Sequence, residues 1–328
     1  MLIWFLYASR LQQNYFAMQP DKLTLDPNDP KVIAARESEE KLFKLYGLRA
    51  KEHYVQLTTV DLKVRVLEIG DGKPLFVVPG NTGDVFPLAS LLSEIKDRRI
   101  IAINRPGGGL SEGMNHNRVD IQSFAVDTLS TILKAFRLPC VDIVAHSMGA
   151  HWSLLLAMKK PEMVRSLSLL GNPGNVMQGK PPFFLRLIGK PPLNRILIKF
   201  ILPKDKNNAL TSLSMAGHRK EFLNTLPKEL SHCYYDFTHL PHYGISLLSL
   251  LENAPLTING NQLQAIQQPV QLLLGDHDTF ASVETGKNII AHLPHGKLQI
   301  IKSAGHLPWL EKPKECGSII LDFLAGLP

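Results

Sequence analysis

The sequence predicts an α/β protein: a mostly parallel, doubly wound sheet with helices on both faces and a helical cap inserted late in the chain. Three observations carry this prediction. Short, continuous apolar runs at 75–78, 100–103, 141–144, 167–170, 270–274 and 298–301 alternate with helix-period segments at 86–95, 121–136, 150–158, 283–292 and 316–324. Continuous hydrophobicity marks strands covered on both faces, and strands separated by helices build a parallel sheet with right-handed crossovers. The rhythm then breaks between Gly174 and Gln268, where roughly ninety residues separate two strands, against about 2–6 for an ordinary connection.

Residues 1–50 read as an N-terminal extension wrapping the core, with a helix over 32–46 that ends near Gly47. Its first residues, Met-Leu-Ile-Trp-Phe-Leu-Tyr-Ala, are apolar for far fewer than the ~20 positions of a membrane-spanning helix. No positive charge precedes them and no small-x-small cleavage site follows, so a secretory signal is not indicated. An amphipathic helix packed on the domain and an interfacial membrane contact are the two readings left for this end. From Tyr54 the period changes to two. Strands at 54–59 and 62–69 turn at Val60-Asp61, and Asp71-Gly72 supplies a second turn into the core, which spans 51–174 and 268–328. The segment 175–267 is the cap (lid) insertion: helical, interrupted by prolines, and without an internal repeat.

A 328-residue chain with 45% hydrophobic content can bury a full core. Cys140, Cys233 and Cys316 lie far apart and leave one unpaired in any disulfide scheme, which suits reduced thiols and a cytoplasmic protein. The net charge of +7 has no long basic block or nucleic-acid motif behind it, so no nucleic acid is expected as a partner. Enrichment is confined to 180–220, where nine positive residues from Lys180 to Lys220 face Asp205 alone. A solvated helix face and a peripheral contact with an anionic lipid surface both fit that pattern. His232, His239 and His242 near Cys233 match no zinc spacing, so no metal and no other cofactor is expected.

The chemistry starts at Ser147, in Val-Ala-His-Ser-Met-Gly-Ala, directly after the strand at 141–144 and before a helix beginning near Met148. A serine on so sharp a turn is held exposed at the carboxyl edge of a sheet, and the small residues Ala145 and Gly149 let strand and helix approach. A hydroxyl is a weak nucleophile until a base takes its proton and a third group orients the base. The glycines of Asn104-Arg105-Pro106-Gly107-Gly108-Gly109-Leu110-Ser111 do not open a helix after a first strand, so they are no dinucleotide fingerprint.

With its Ser147 turn and the run from Asn104 to Ser111, the chain resembles the α/β-hydrolase superfamily, in its capped serine esterase and C–C hydrolase-like branch, from about residue 52 to 325. Ala145 stands for the usual first Gly, and Asn104 for the Asp of Asp-x-Pro-Gly-x-Gly-x-Ser. The resemblance implies Ser147 as nucleophile and an acid, then a histidine, each after a late strand. Asp278, in Leu-Gly-Asp-His-Asp, stands where the fold's Gly-x-x-Asp carries the acid; Asp276, closer to the strand end, is the alternative and reads as structural. His306, after 298–301 and Gly305, is implied as the base. The backbone N–H groups of Asn81 and Met148 are implied as an oxyanion hole, although Pro79 departs from the usual His. Phe183, Phe184, Tyr234 and Tyr235 are candidate pocket walls, with packing inside the cap as the other reading.

Serine at the turn argues against dehalogenases and epoxide hydrolases of this fold, which use Asp there. The absence of His-Gly-Gly-Pro-Gly argues against prolyl iminopeptidases. The expected activity is therefore hydrolysis of a moderately hydrophobic small-molecule ester, carboxylesterase- or lipase-like, through an acyl-enzyme. C–C hydrolysis of a dienone-type diketone, acyl transfer or cofactor-free perhydrolysis would use the same residues. A non-enzymatic binding protein would be signalled by a lost member of the set, and none is lost.

Overall fold

Period-two hydrophobicity makes the first two strands of the computed structural model, which describes residues 22–174, 176–177, 191, 194–253 and 257–327. β1 (Ala50–Leu57) and β2 (Leu62–Ile69) pair antiparallel from Ala50 opposite Ile69 to Leu57 opposite Leu62. The turn between them includes Asp61 at φ 45°. The continuous apolar runs then supply β3 (Lys73–Val78), β4 (Arg98–Ile103), β5 (Val141–His146), β6 (Val164–Leu170), β7 (Val270–Gly275) and β8 (Gly296–Ile301). The eight strands lie in the order β8-β7-β6-β5-β3-β4-β2-β1, parallel from β8 to β4 and antiparallel beyond.

The reason the runs are continuous is visible in their packing. Successive residues point to opposite faces, and each face meets its own apolar layer. Phe76, Val78, Ile101, Ile103, Ile143 and Ala145 enter one cluster with Phe124, Leu129 and Ile132 of α2 (Ile121–Ala135) and Trp152 and Leu155 of α3 (Met148–Lys159). Leu75, Val77, Ile100, Ala102 and Val144 enter the other, with Val32, Leu42 and Phe43 of α1 (Pro30–Leu45) and Trp309. Two expectations are corrected. β8 is an edge strand with Lys297 and Gln299 exposed and Leu298 half-buried, so its apolar run is not covered on both sides. The helix expected over 86–95 is a 3-10 turn, Phe86–Leu88, running into the four-residue helix Ala89–Leu92, with Pro87 in the first turn. Proline fixes φ and withholds a donor, which suits a helix start and not its interior.

Between β6 and β7 lie α4 (Asn194–Ile201), the 3-10 helix Lys206–Ala216, the short helix Lys220–Leu223, α5 (Lys228–Thr238), α6 (Tyr243–Glu252) and the short helix Gly260–Gln264. Near its two ends the segment closes on itself: Val176 and Ile258 form a parallel bridge, and Met177 N–H donates to Ile258 O at 2.8 Å. After β7 and β8 come α7 (Val283–Ala291) and α8 (Pro313–Ala325). The apolar N-terminus lies outside the described residues, although residues 22–23 pair with 113–114 in a small ribbon. Among the described residues no helix is long and apolar enough to cross a membrane.

The run from Asn104 to Ser111 is held by a buried charge lattice. Arg65 on β2 donates from Nη2 to Glu39 Oε2 of α1 at 2.6 Å, from Nη1 to Asn104 Oδ1 at 3.0 Å and from Nε to Glu52. Its own backbone N–H donates to Ser111 Oγ at 2.8 Å, and Ser111 Oγ–H donates to Asn104 O at 2.7 Å. Burial alone would lower the Arg65 pKa, but Glu39 and Glu52 raise it above its ordinary value. Arg65→Ala strands the Glu39 carboxylate in the interior. It should cost about 3–5 kcal/mol of unfolding free energy, read from the urea midpoint at constant m.

Candidate active site

Ser147 sits between β5 and α3 with φ 50° and ψ −115°, a backbone conformation that costs an L-residue about 1–3 kcal/mol. Its neighbours force the turn. Ala145 pairs with Val78 of β3, and a Cβ on Gly149 would lie 2.4 Å from both Val78 O and Pro79 O, so the first turn of α3 abuts the end of β3. Ser147 N–H donates to Leu170 O at 3.1 Å, and Ser147 O accepts from His151 N–H at 3.1 Å. Strand order reverses between β3 and β5, one leading to β4 and the other to β6. Ligands of open α/β sheets collect beyond the carboxyl ends of strands at such a point.

The loops after β7 and β8 deliver two more side chains there. His306 Nε2 is 2.9 Å from Ser147 Oγ, and His306 Nδ1 is 2.8 Å from Asp278 Oδ2. An ionised carboxylate only accepts, so Nδ1 carries the proton and Nε2 is free to accept from the Ser147 hydroxyl. Asp278 Oδ2 also accepts Asn172 N–H at 3.1 Å, and Oδ1 accepts Phe280 N–H at 2.8 Å. Burial pushes the Asp278 carboxyl up, but His306 and these donors outweigh it and hold the group below its ordinary range. The other aspartate, Asp276, instead faces Lys302 at 3.8 Å and His277 at 4.0 Å.

Asn81 follows Gly80 in the loop after β3, and Met148 is the first helical residue of α3, where backbone N–H groups have no partner within the helix. Arg105 clamps the loop by donating from Nε to Pro79 O and Gly80 O, each at 3.1 Å. Asn81, Thr82 and Arg105 line a small cavity closed by Tyr243, Leu247 and Leu250 of α6. Phe183 and Phe184 lie outside the described residues. Tyr234 is buried with its ring edge-on to Phe86, centroids 5.0 Å apart, and Tyr235 stacks on His239 at 4.1 Å.

Sequence reasoning missed the supports. His146 lies beside His306 and Trp309, each 4.8 Å away between centroids, and its Nε2–H donates to His306 O at 3.3 Å. A Cβ on Gly80 would stand 2.4 Å from the His146 ring, and one on Gly171, at φ 63°, 2.4 Å from His306 O. The one available signal was an imidazole as the last residue of a fully buried strand. Asn172 and Phe280 act through backbone N–H groups, which any residue but proline supplies.

Residues 73–313 match the family described as alpha/beta hydrolase fold. Among curated relatives, an uncharacterised hydrolase of Bacillus subtilis (strain 168), YugF, is 25% identical over 251 residues, 76% of this chain and 89% of its own. The 2-hydroxy-6-oxononadienedioate/2-hydroxy-6-oxononatrienedioate hydrolase 2 of Pseudomonas putida is 24% identical over 290 residues, 81% of this chain and 92% of its own. Among solved structures, carboxylesterase CesB (YbfK) from Bacillus subtilis superposes with a TM-score of 0.73 at 16% identity, over 90% of this chain and 99% of its own, a likeness of fold.

Burial keeps four imidazoles around this edge neutral: it lowers His116 to about 3, His151 and His242 to about 4, and His146 well below its ordinary value. The unfolded chain protonates the same groups near pH 6.5, so in the window below it the unfolded state binds more protons and stability falls as pH falls. The urea midpoint should therefore drop steadily from pH 7 to about 5, and His151→Gln should remove up to about 1.4 kcal/mol per pH unit of that slope.

Proposed function

The chain belongs to the alpha/beta hydrolase fold family, and we propose that it cleaves carboxylic esters of moderately hydrophobic small molecules through an acyl-enzyme on Ser147. The observation that carries this reading is the continuous relay from Ser147 Oγ through both nitrogens of His306 to Asp278, at 2.9 and 2.8 Å. Ser147 attacks the acyl carbon as His306 Nε2 takes its proton. Asp278 holds the imidazole in the tautomer that can accept and stabilises the cation that forms. Asn81 and Met148 N–H groups receive the negative charge on the carbonyl oxygen, assisted by the positive end of α3. His306 then returns the proton to the departing alcohol. Water, deprotonated by the same imidazole, releases the acid and restores Ser147.

The segment 175–267 serves as a cap over this edge, with Tyr243, Leu247 and Leu250 on the side of the oxyanion loop. The Pseudomonas putida relative is named for a 2-hydroxy-6-oxo acid, which favours as second reading C–C hydrolysis of a dienone-type diketone by the same three side chains.

A fluorophosphonate probe should label Ser147, identified by mass spectrometry, and p-nitrophenyl esters should give an acyl-enzyme burst. Ser147→Ala and His306→Ala should each lower kcat by about ten-thousand-fold or more, with the fold unchanged by circular dichroism. Folded wild-type protein that takes up no probe overturns the serine-nucleophile reading. Turnover of a dienone diketone well above that of every ester in a chain-length series moves the assignment to the second reading.

A further inference from the structure

His306 is held from outside the sheet. The 3-10 helix Lys206–Ala216 ends at Gly217, whose φ of 90° turns the chain across the loops after β7 and β8 together. On the β7 side, Met215 O accepts Thr279 Oγ–H at 2.6 Å, and a Cβ on Gly217 would lie 1.9 Å from His277 O. On the β8 side, Ala216 O accepts the backbone N–H of His306 at 2.8 Å, and His218 Nε2 accepts the N–H of Leu307 at 3.2 Å. Because Nε2 accepts, His218 Nδ1 carries the hydrogen, and it donates to Glu311 Oε1 at 2.6 Å. The His218 side chain is fully buried, at 0% exposure. Gly305 leaves the space: a Cβ there would stand 2.8 Å from the His218 ring.

We propose that the strap 215–218 positions the catalytic base, with His218 as a positioning residue that works through Leu307 and Glu311, so that the inserted segment and the reacting centre are mechanically one unit. Two consecutive backbone donors, at His306 and Leu307, are buried at 5% and 6% exposure, and both acceptors come from the strap. Buried N–H groups without acceptors cost free energy, so the loop has no other equally good place to settle. The His306 ring sits 2.9 Å from Ser147 Oγ because its backbone is fixed there. The inference rests on the reading of His306 as the base.

The test uses the full chain, p-nitrophenyl butyrate and fluorophosphonate labelling. His218→Ala removes the acceptor for Leu307 and the donor to Glu311. It should lower kcat about 30-fold and leave KM within about twofold, since misplacement of a catalytic group is felt in the chemical step. Two milder variants separate positioning from folding. His218→Gln presents a carbonyl near the Nε2 position and should recover about tenfold of the loss, whereas His218→Asn presents an amide donor near Nδ1, keeps the Glu311 contact and should stay near the alanine level. Equal kcat for the Gln and Asn variants, or an alanine variant with wild-type kcat, overturns the proposal while probe uptake by wild type leaves the serine hydrolase reading intact. No probe uptake by wild type overturns both.

Discussion

The backbone at Ser147 is the constraint on which the other parts depend. At φ 50° and ψ −115° an L-serine relaxes unless its surroundings forbid it. What forbids relaxation is the wedge of Gly149 against the carbonyls of Val78 and Pro79, together with the hydrogen bond from Ser147 N–H to Leu170 O. The same wedge aims the amino end of α3 at the crevice and fixes the distance between β5 and the loop carrying Asn81. One local strain therefore sets the hydroxyl, the helix dipole and the loop carrying Asn81 in a common frame.

Charge is arranged around that frame with economy. Asp278 is a buried carboxylate that stays ionised because three donors converge on its two oxygens: Asn172 N–H, Phe280 N–H and the ring of His306. Neighbouring imidazoles such as His146 are held neutral by their own burial. No second cation from these rings then competes for the aspartate, and the interaction between Asp278 and His306 acts in a medium of low polarizability. The buried ion pair of Arg65 with Glu39 lies instead against the loop from Asn104 to Ser111, to which Arg65 also hydrogen-bonds, and serves its shape.

Much of this architecture was legible in the chain, for a physical reason. A strand between two helical layers is covered on both faces, so β3 to β7 announce themselves as short runs of consecutive apolar residues even where a buried polar residue such as Asp142 or Gln271 shares the strand; β8, at the edge, carried a similar run without being covered. Ser147, Asp278 and His306 each follow a strand end, and parallel strands bring all their carboxyl ends to one edge, so order along the chain becomes proximity in space. What stayed hidden has no one-dimensional signature. Asn172 contributes a backbone N–H, Gly171 contributes missing atoms, and His218 reaches Leu307, beside His306, across almost ninety positions of sequence. Tyr234, a candidate wall on composition, packs on Phe86, because an aromatic ring in a helical segment serves a core as readily as a cavity.

The bridge between Val176 and Ile258 has a consequence for how such a molecule diversifies. To the sheet, the passage from β6 to β7 is already closed at that bridge, and the span beyond is a loop whose ends are tied. Doubling the length of a flexible loop costs only about 0.6 kcal/mol in closure entropy. The span beyond the bridge can thus lengthen, shorten or change shape while the strands keep their register. Its ties to the loops beneath limit that freedom: Ala216 O accepts the backbone N–H of His306, Met215 O the Thr279 hydroxyl, and His218 Nε2 the N–H of Leu307.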